Sequence, residues 1–205
     1  MAQHATSPAL SGPTIYKSLA LNALLQQLEE GRKYQILDLG PALGENINFW
    51  SRYPVKIYLP DFYQSFMSAT QATAGEEVLP ESLLEQVLPF ADKHFDIILG
   101  WDLFNYLESG QLESLIHVLS RMCRSRTYLF LLISTLHQIP AEPNLFKILD
   151  PERLVYENHT SRTKPCPRYQ PRDIKRMMAG FEVLVSFLLR HGMQEYLFVY
   201  QGLAG

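Results

Sequence analysis

Ile36-Leu37-Asp38-Leu39-Gly40-Pro41-Ala42-Leu43-Gly44-Glu45-Asn46 joins an apolar run to a turn and then to a helical pattern. The run from Tyr34 to Leu39 has the length and character of a buried strand. Asp38 stands near its end, and Gly40 and Gly44 punctuate the turn. Asn46 to Arg52 continues at helical spacing, with Ile47, Phe49 and Trp50 available for the core, and Pro54 stops it. Strand, tight loop and helix N-terminus in this order form the unit of an open α/β sheet, whose ligands sit beyond the carboxyl ends of the strands. Glycine in such a loop lets the backbone turn sharply and approach a ligand that a Cβ would obstruct.

Around this stretch, 205 residues suffice for one α/β domain with a full core. Hydrophobic residues at 47% and charged residues at 19% fit a soluble globular protein. A formal net charge of −3 gives no global pull towards nucleic acid or anionic membrane, so nucleic acid is the least expected partner. Cys123 and Cys166 form no CxxC pair and read as reduced thiols of a cytoplasmic protein. Met1 to Pro13 lacks the basic start and apolar core of a signal peptide and reads as a flexible lead-in to a single domain over 14–205. No run approaches the roughly 20 apolar residues that span a bilayer.

Upstream of the first strand, Thr14 to Glu30 reads as one helix closed by Gly31. Downstream, Val55 to Leu59 reads as a second strand ending on Pro60-Asp61. A carboxylate there offers two acceptor oxygens to a diol, or an N-cap to a Tyr63–Ala69 helix. Phe62 reads as a ring for a flat base or as a core residue. Leu88-Pro89-Phe90, a polar turn and Phe95-Asp96-Ile97-Ile98 lead into a strand through Gly100, followed by Trp101-Asp102-Leu103-Phe104-Asn105-Tyr106. Leu112 to Met122 is amphipathic, and Tyr128 to Thr135 is apolar enough for a strand covered on both faces. From Leu136 to Arg172 prolines recur, and Glu152 to Arg176 holds seven basic against three acidic residues. The segment reads as a surface loop or as a meeting point for an acidic group. Phe181–Leu189 and Glu195–Tyr200 are strand-like, and a linker as short as His191-Gly192-Met193 permits only an antiparallel hairpin.

Taken together these features resemble the class I S-adenosylmethionine-dependent methyltransferases over roughly Thr14 to Gln201. Their first motif is an acid followed by alternating glycines; Asp38, Gly40 and Gly44 match it, and Ala42 takes the middle glycine's place. The Leu88-Pro89-Phe90 and Phe95-Asp96 pair and the terminal hairpin match as well. The resemblance implies a Rossmann-like fold: a mostly parallel seven-stranded sheet, helices on both faces and a C-terminal antiparallel hairpin. It implies S-adenosylmethionine as cofactor, held at Asp38, Gly40, Ala42 and Gly44, with its ribose on Asp61 and its adenine beside Phe62. The acid that usually contacts the adenine amino group is replaced by Leu84, so that contact is lost or shifts to Glu85 or Gln86. Trp101 would meet the methionine part of the cofactor, and Asp102, Asn105 and Tyr106 would face the substrate. Residues 136–172 would form the substrate-side insertion, and no metal is called for.

The implied activity is methyl transfer to an unknown acceptor, a small molecule or a protein. Ala42, Leu84 and the sequence Cys123-Arg124-Ser125-Arg126-Thr127, which stands where the family often has a lysine-proline-glycine-glycine turn, fit an alternative. That alternative is a domain that no longer catalyses and instead binds or scaffolds a partner protein. A dinucleotide loop of the G-x-G-x-x-G type fails, because Ala42 and Glu45 hold its second and third glycine positions.

Overall fold

Asp38 and Gly40 lie at the carboxyl edge of a sheet in the computed structural model, which describes residues 12–70 and 80–202. The chain runs through β1 (Thr14–Lys17), α1 (Leu19–Leu25), β2 (Tyr34–Asp38), α2 (Gly44–Trp50), β3 (Val55–Tyr58), α3 (Phe62–Thr70) and α4 (Glu81–Val87). It continues with β4 (Phe95–Trp101), a 3-10 turn (Leu103–Tyr106), α5 (Ser109–Arg121) and β5 (Cys123–Ser134). Four short strands follow, β6 (Gln138–Pro140), β7 (Leu145–Asp150), β8 (Arg153–Glu157) and β9 (Thr163–Pro165), then α6 (Pro171–Met177), β10 (Phe181–Leu188) and β11 (Met193–Tyr200).

The main sheet has the order β10-β11-β5-β4-β2-β3. β3, β2, β4 and β5 run parallel, and β11 lies antiparallel between β5 and β10. All seven residues of β4 are buried, as a central strand covered on both faces requires. One face packs on α3, α4, α5 and α6, with Leu37, Ile98, Leu129 and Phe198 from the sheet. The other packs on α1, α2 and β7–β8, with Ile36, Ile97, Phe130 and Leu197. The terminal hairpin turns at Gly192, whose φ of +81° suits glycine.

Three expectations are corrected. The described residues carry six strands of the main sheet where seven were expected; between β3 and β4 they hold α3 and α4, and residues 71–79 lie outside the description. Thr14–Glu30 is not one helix. Thr14-Ile15-Tyr16-Lys17 alternates in exposure and pairs antiparallel with β8, so partners some 140 residues away override the helical spacing. Ser18 then caps α1 through its hydroxyl, which accepts from Leu21 N, while the buried Glu195 carboxylate on β11 accepts from Ala20 N at 3.1 Å. Ile47 is 42% exposed and leaves the core to Phe49 and Trp50.

The proline-rich insertion is built of strands. β7 and β8 join β1 in a three-stranded antiparallel sheet, and β6 pairs with β9. This second sheet is placed over the carboxyl edge of β2 and β4. Asn46 of α2 is buried and works like a strand residue: its Nδ2 donates to Phe146 O at 2.9 Å and its Oδ1 accepts from Ile148 N at 2.8 Å. Lys147 reinforces the seam with ion pairs to Glu45 and Glu157.

Candidate functional site

β2 ends on Asp38, whose carboxylate is buried beneath the loop that follows. Oδ1 accepts from Gly40 N at 2.9 Å and from the indole Nε1 of Trp101 at 2.6 Å. Burial pushes this carboxyl up to about 6, against the pull of the two donors. Trp101 is the last residue of β4 and has φ +48°, a conformation uncommon for a bulky residue. That turn of the backbone lays the indole across Gly40: a Cβ added there would stand 2.8 Å from Trp101 Cδ1. The loop glycine therefore makes room for a side chain of the same protein.

Phe146 completes the cover. Its ring stacks on Trp101 with centroids 5.7 Å apart and planes 6° from parallel. Pro143 and Asn144 come down beside it, and the space left among Gly40, Leu43, Trp101 and these residues is a cavity of about 30 Å³. Small-molecule pockets are on the order of 300–1,000 Å³. This space holds about one water molecule.

Ala42 is exposed on the loop with an ordinary φ, so its methyl group strains nothing, and Gly44 opens α2 with open space at its Cβ position. Asp61 follows β3 at φ +44°, half-buried, and Phe62 N donates to Leu39 O at 3.1 Å, so Asp61 adjoins the same strand edge. Phe62 is fully buried and stacks on Phe66 in the core, which leaves no ring face for an adenine. Glu85 lies on the exposed side of α4 and pairs with Arg121 of α5 at 2.9 Å, while Leu84 is buried beside it.

On the other side of the loop, Asp102 is 3% exposed. Its Oδ2 accepts from Asn144 N at 3.1 Å and Asn144 Nδ2 at 2.7 Å, and burial pushes its pKa up to about 7. Asn105 is wholly engaged as a brace: Nδ2 donates to Asp102 O and Leu132 O, and Oδ1 accepts from Ser134 N. Tyr106 donates its hydroxyl to Glu142 O at 2.8 Å and lies under Lys164. Asp102 and Asn144 border both the small space over Gly40 and a second cavity of about 120 Å³ towards Tyr156 and His191.

Sequence reasoning missed Asn46, Phe146, Asn144 and His191. The first is an ordinary helix residue by pattern, and the others sit in an insertion or a turn whose placement depends on distant pairing.

No protein-family model matches the chain, and no curated protein matches it. Among solved structures, a protein from Pyrococcus horikoshii OT3 is similar over 89% of this chain and 88% of its own, with a TM-score of 0.52 and 12% identity. An S-adenosylmethionine-dependent methyltransferase from Clostridium acetobutylicum has a TM-score of 0.47 and 12% identity over 82% of this chain and 84% of its own. A 1,6-didemethyltoxoflavin-N1-methyltransferase from Burkholderia thailandensis, solved with bound 1,6-didemethyltoxoflavin and S-adenosylhomocysteine, has 0.47 and 13% over 89% and 79%. The strand order, with β11 antiparallel between β5 and β10, decides the class. The chain has the class I methyltransferase fold. At identities this low it is a divergent example, and the likeness concerns fold alone.

Within a methyltransferase fold, the loop after β2 and the end of β4 border the cofactor cleft that the resemblance implies. Asp38 and Gly40 stand at that edge, and Trp101, backed by Phe146, lies against both of them. Among the described residues no group of histidine, cysteine, aspartate or glutamate side chains could hold a metal ion, and no helix is long and apolar enough to cross a membrane.

Proposed function

We propose that the chain is a methyltransferase-fold protein that does not take up S-adenosylmethionine and acts as a binding module. One observation carries this reading: the Trp101 indole lies on Gly40 and donates to Asp38, so the donor and the ring occupy the ground where a cofactor would contact the loop. Admitting a cofactor requires Trp101 to leave Asp38, Phe146 to unstack and the Asn144 bonds to Asp102 to break. Three hydrogen bonds to carboxylates at roughly 1.5 kcal/mol each come to about 4.5 kcal/mol, which lowers the apparent affinity by roughly three orders of magnitude.

The second reading, an active methyltransferase of unknown acceptor, is favoured by Asp38 at the end of β2, Gly40 and Gly44 in and after its loop, and Asp61 after β3. It is also favoured by Asp102, which stands where the space over Gly40 meets the larger cavity. In that reading catalysis would rest on proximity and orientation of the acceptor towards the sulfonium methyl.

Thermal unfolding of the unaltered chain with millimolar S-adenosylmethionine or S-adenosylhomocysteine separates the two. The binding-module reading predicts no rise in Tm. A ligand at about 100 times its Kd adds about 2.7 kcal/mol of stability, so a rise of several degrees would overturn it in favour of the enzyme.

A further inference from the structure

The larger cavity, about 120 Å³, is walled by Asp102, Asn144, Tyr156 and His191, with Met193 and Ile139 among its apolar parts. Tyr16 stands against this wall, its ring centroid 5.1 Å from that of His191 and 6.2 Å from that of Tyr156. Tyr156 and His191 are themselves 5.5 Å apart. The group draws on β1, the end of β4, the segment before β7, β8 and the β10–β11 turn, so only the folded chain assembles it.

Four polar atoms of this cluster are buried and meet no partner among the described residues: Asp102 Oδ1, Asn144 Oδ1, His191 Nε2 and the Tyr16 hydroxyl. Buried polar groups in native proteins are nearly always bonded, so four in one place point to something that binds them. The chemistry of that partner follows from the first two. Asn144 donates both N–H groups to Asp102 Oδ2, which fixes its amide orientation and turns Oδ1 elsewhere. Asp102 Oδ1 is the carboxylate's other oxygen. Once Asp102 is ionised, above about pH 7, both leftover atoms accept and one of them carries a negative charge, and among the described residues the cavity wall holds no lysine or arginine. A ligand that satisfies them brings at least two N–H donors and a positive charge. The aromatic rings alongside suit a cation as well. At about 30 Å³ per water, the cavity takes a short chain of roughly four non-hydrogen atoms.

We propose that this cavity is a binding site for a primary alkylammonium group, held by Asp102 Oδ1 and Asn144 Oδ1 beside the rings of Tyr156 and His191. The site needs no cofactor in the cleft over Gly40, and a cofactor that broke the Asn144 bonds to Asp102 would dismantle it. S-adenosylmethionine titration reads that cleft and amine titration reads this cavity, so either can fail without the other.

Isothermal titration of the full chain at pH 8 with n-butylammonium chloride, and with 1-butanol as its neutral counterpart, tests the proposal. Butylammonium binds and butanol does not; Asp102→Asn weakens binding at least tenfold. Equal binding of both compounds, binding of neither, or an unchanged affinity in Asp102→Asn would overturn it. The imidazole resonances of His191 in the unaltered chain give a check that requires no variant. They move on addition of butylammonium and stay in place with butanol; binding that leaves them unmoved places the amine elsewhere and overturns the assignment. Nα-acetyl-lysine methylamide distinguishes the sources: comparable affinity shows that a lysine side chain of a partner supplies the ammonium, and much weaker affinity shows a free small amine.

Discussion

Gly40 and Trp101 form one unit. Because a Cβ at Gly40 would stand 2.8 Å from Trp101 Cδ1, Gly40→Ala forces the indole off Asp38 and costs roughly 1–3 kcal/mol of stability. In Trp101→Ala only Asp38 Oδ1, 3.2 Å from the added Cβ, still crowds it, so the same Gly40→Ala change costs much less. Urea unfolding of the four chains in a double-mutant cycle should give a coupling above 1 kcal/mol; additive effects would show that the indole does not rest on that glycine. Asp102 makes a second prediction at this scale. Its folded pKa of about 7 exceeds the ordinary aspartate value of about 3.9. Between about pH 4 and 7 the native state therefore holds more protons than the unfolded one, and stability falls as pH rises through that window. The asparagine of Asp102→Asn does not titrate, so the stability lost between pH 5 and pH 8, on the order of 2–3 kcal/mol in the unaltered chain, should shrink in the variant. Asp38, raised to about 6 in the same direction, keeps the slope from vanishing. An undiminished slope in urea unfolding at the two pH values would show that Asp102 titrates normally. Of these residues, Asp38, Gly40 and Asp102 were legible in the sequence as strand-end positions. The direction of the Trp101 side chain was not, because it depends on a positive φ that no sequence pattern announces.

At the scale of elements, the seam between α2 and β7 holds the second sheet over the loop. Asn46→Ala removes both bonds of the side chain and strands Phe146 O and Ile148 N, a loss of roughly 2–3 kcal/mol. Hydrogen exchange at the Ile148 amide should quicken by at least tenfold, whereas amides in the middle of β4 should change only as far as global stability does. Equal quickening at both places would mean that the seam does not open on its own. In the sequence the insertion was marked only by its prolines and charge. Its strands were not legible, since β7 and β8 find their register against each other and against β1, far away in the chain. The same pairing explains why Thr14–Lys17 abandons the helix that its apolar spacing suggests.

For the molecule as a whole, the parallel strands were readable because each is an apolar run closed by a turn, and the terminal hairpin because its linker is too short for a crossover. The methyltransferase fold was thus written in local patterns, whereas the state of its cleft was not. That state follows from side chains of β4 and of the insertion meeting over the loop, a tertiary outcome. Equilibrium binding of S-adenosylmethionine to the unaltered chain and to Trp101→Ala, followed by isothermal titration, tests the central claim most directly. The account predicts no measurable heat of binding for the unaltered chain at millimolar ligand, with any affinity appearing only once the indole is removed. Micromolar binding to the unaltered chain would contradict it, whatever the substitution does to that affinity.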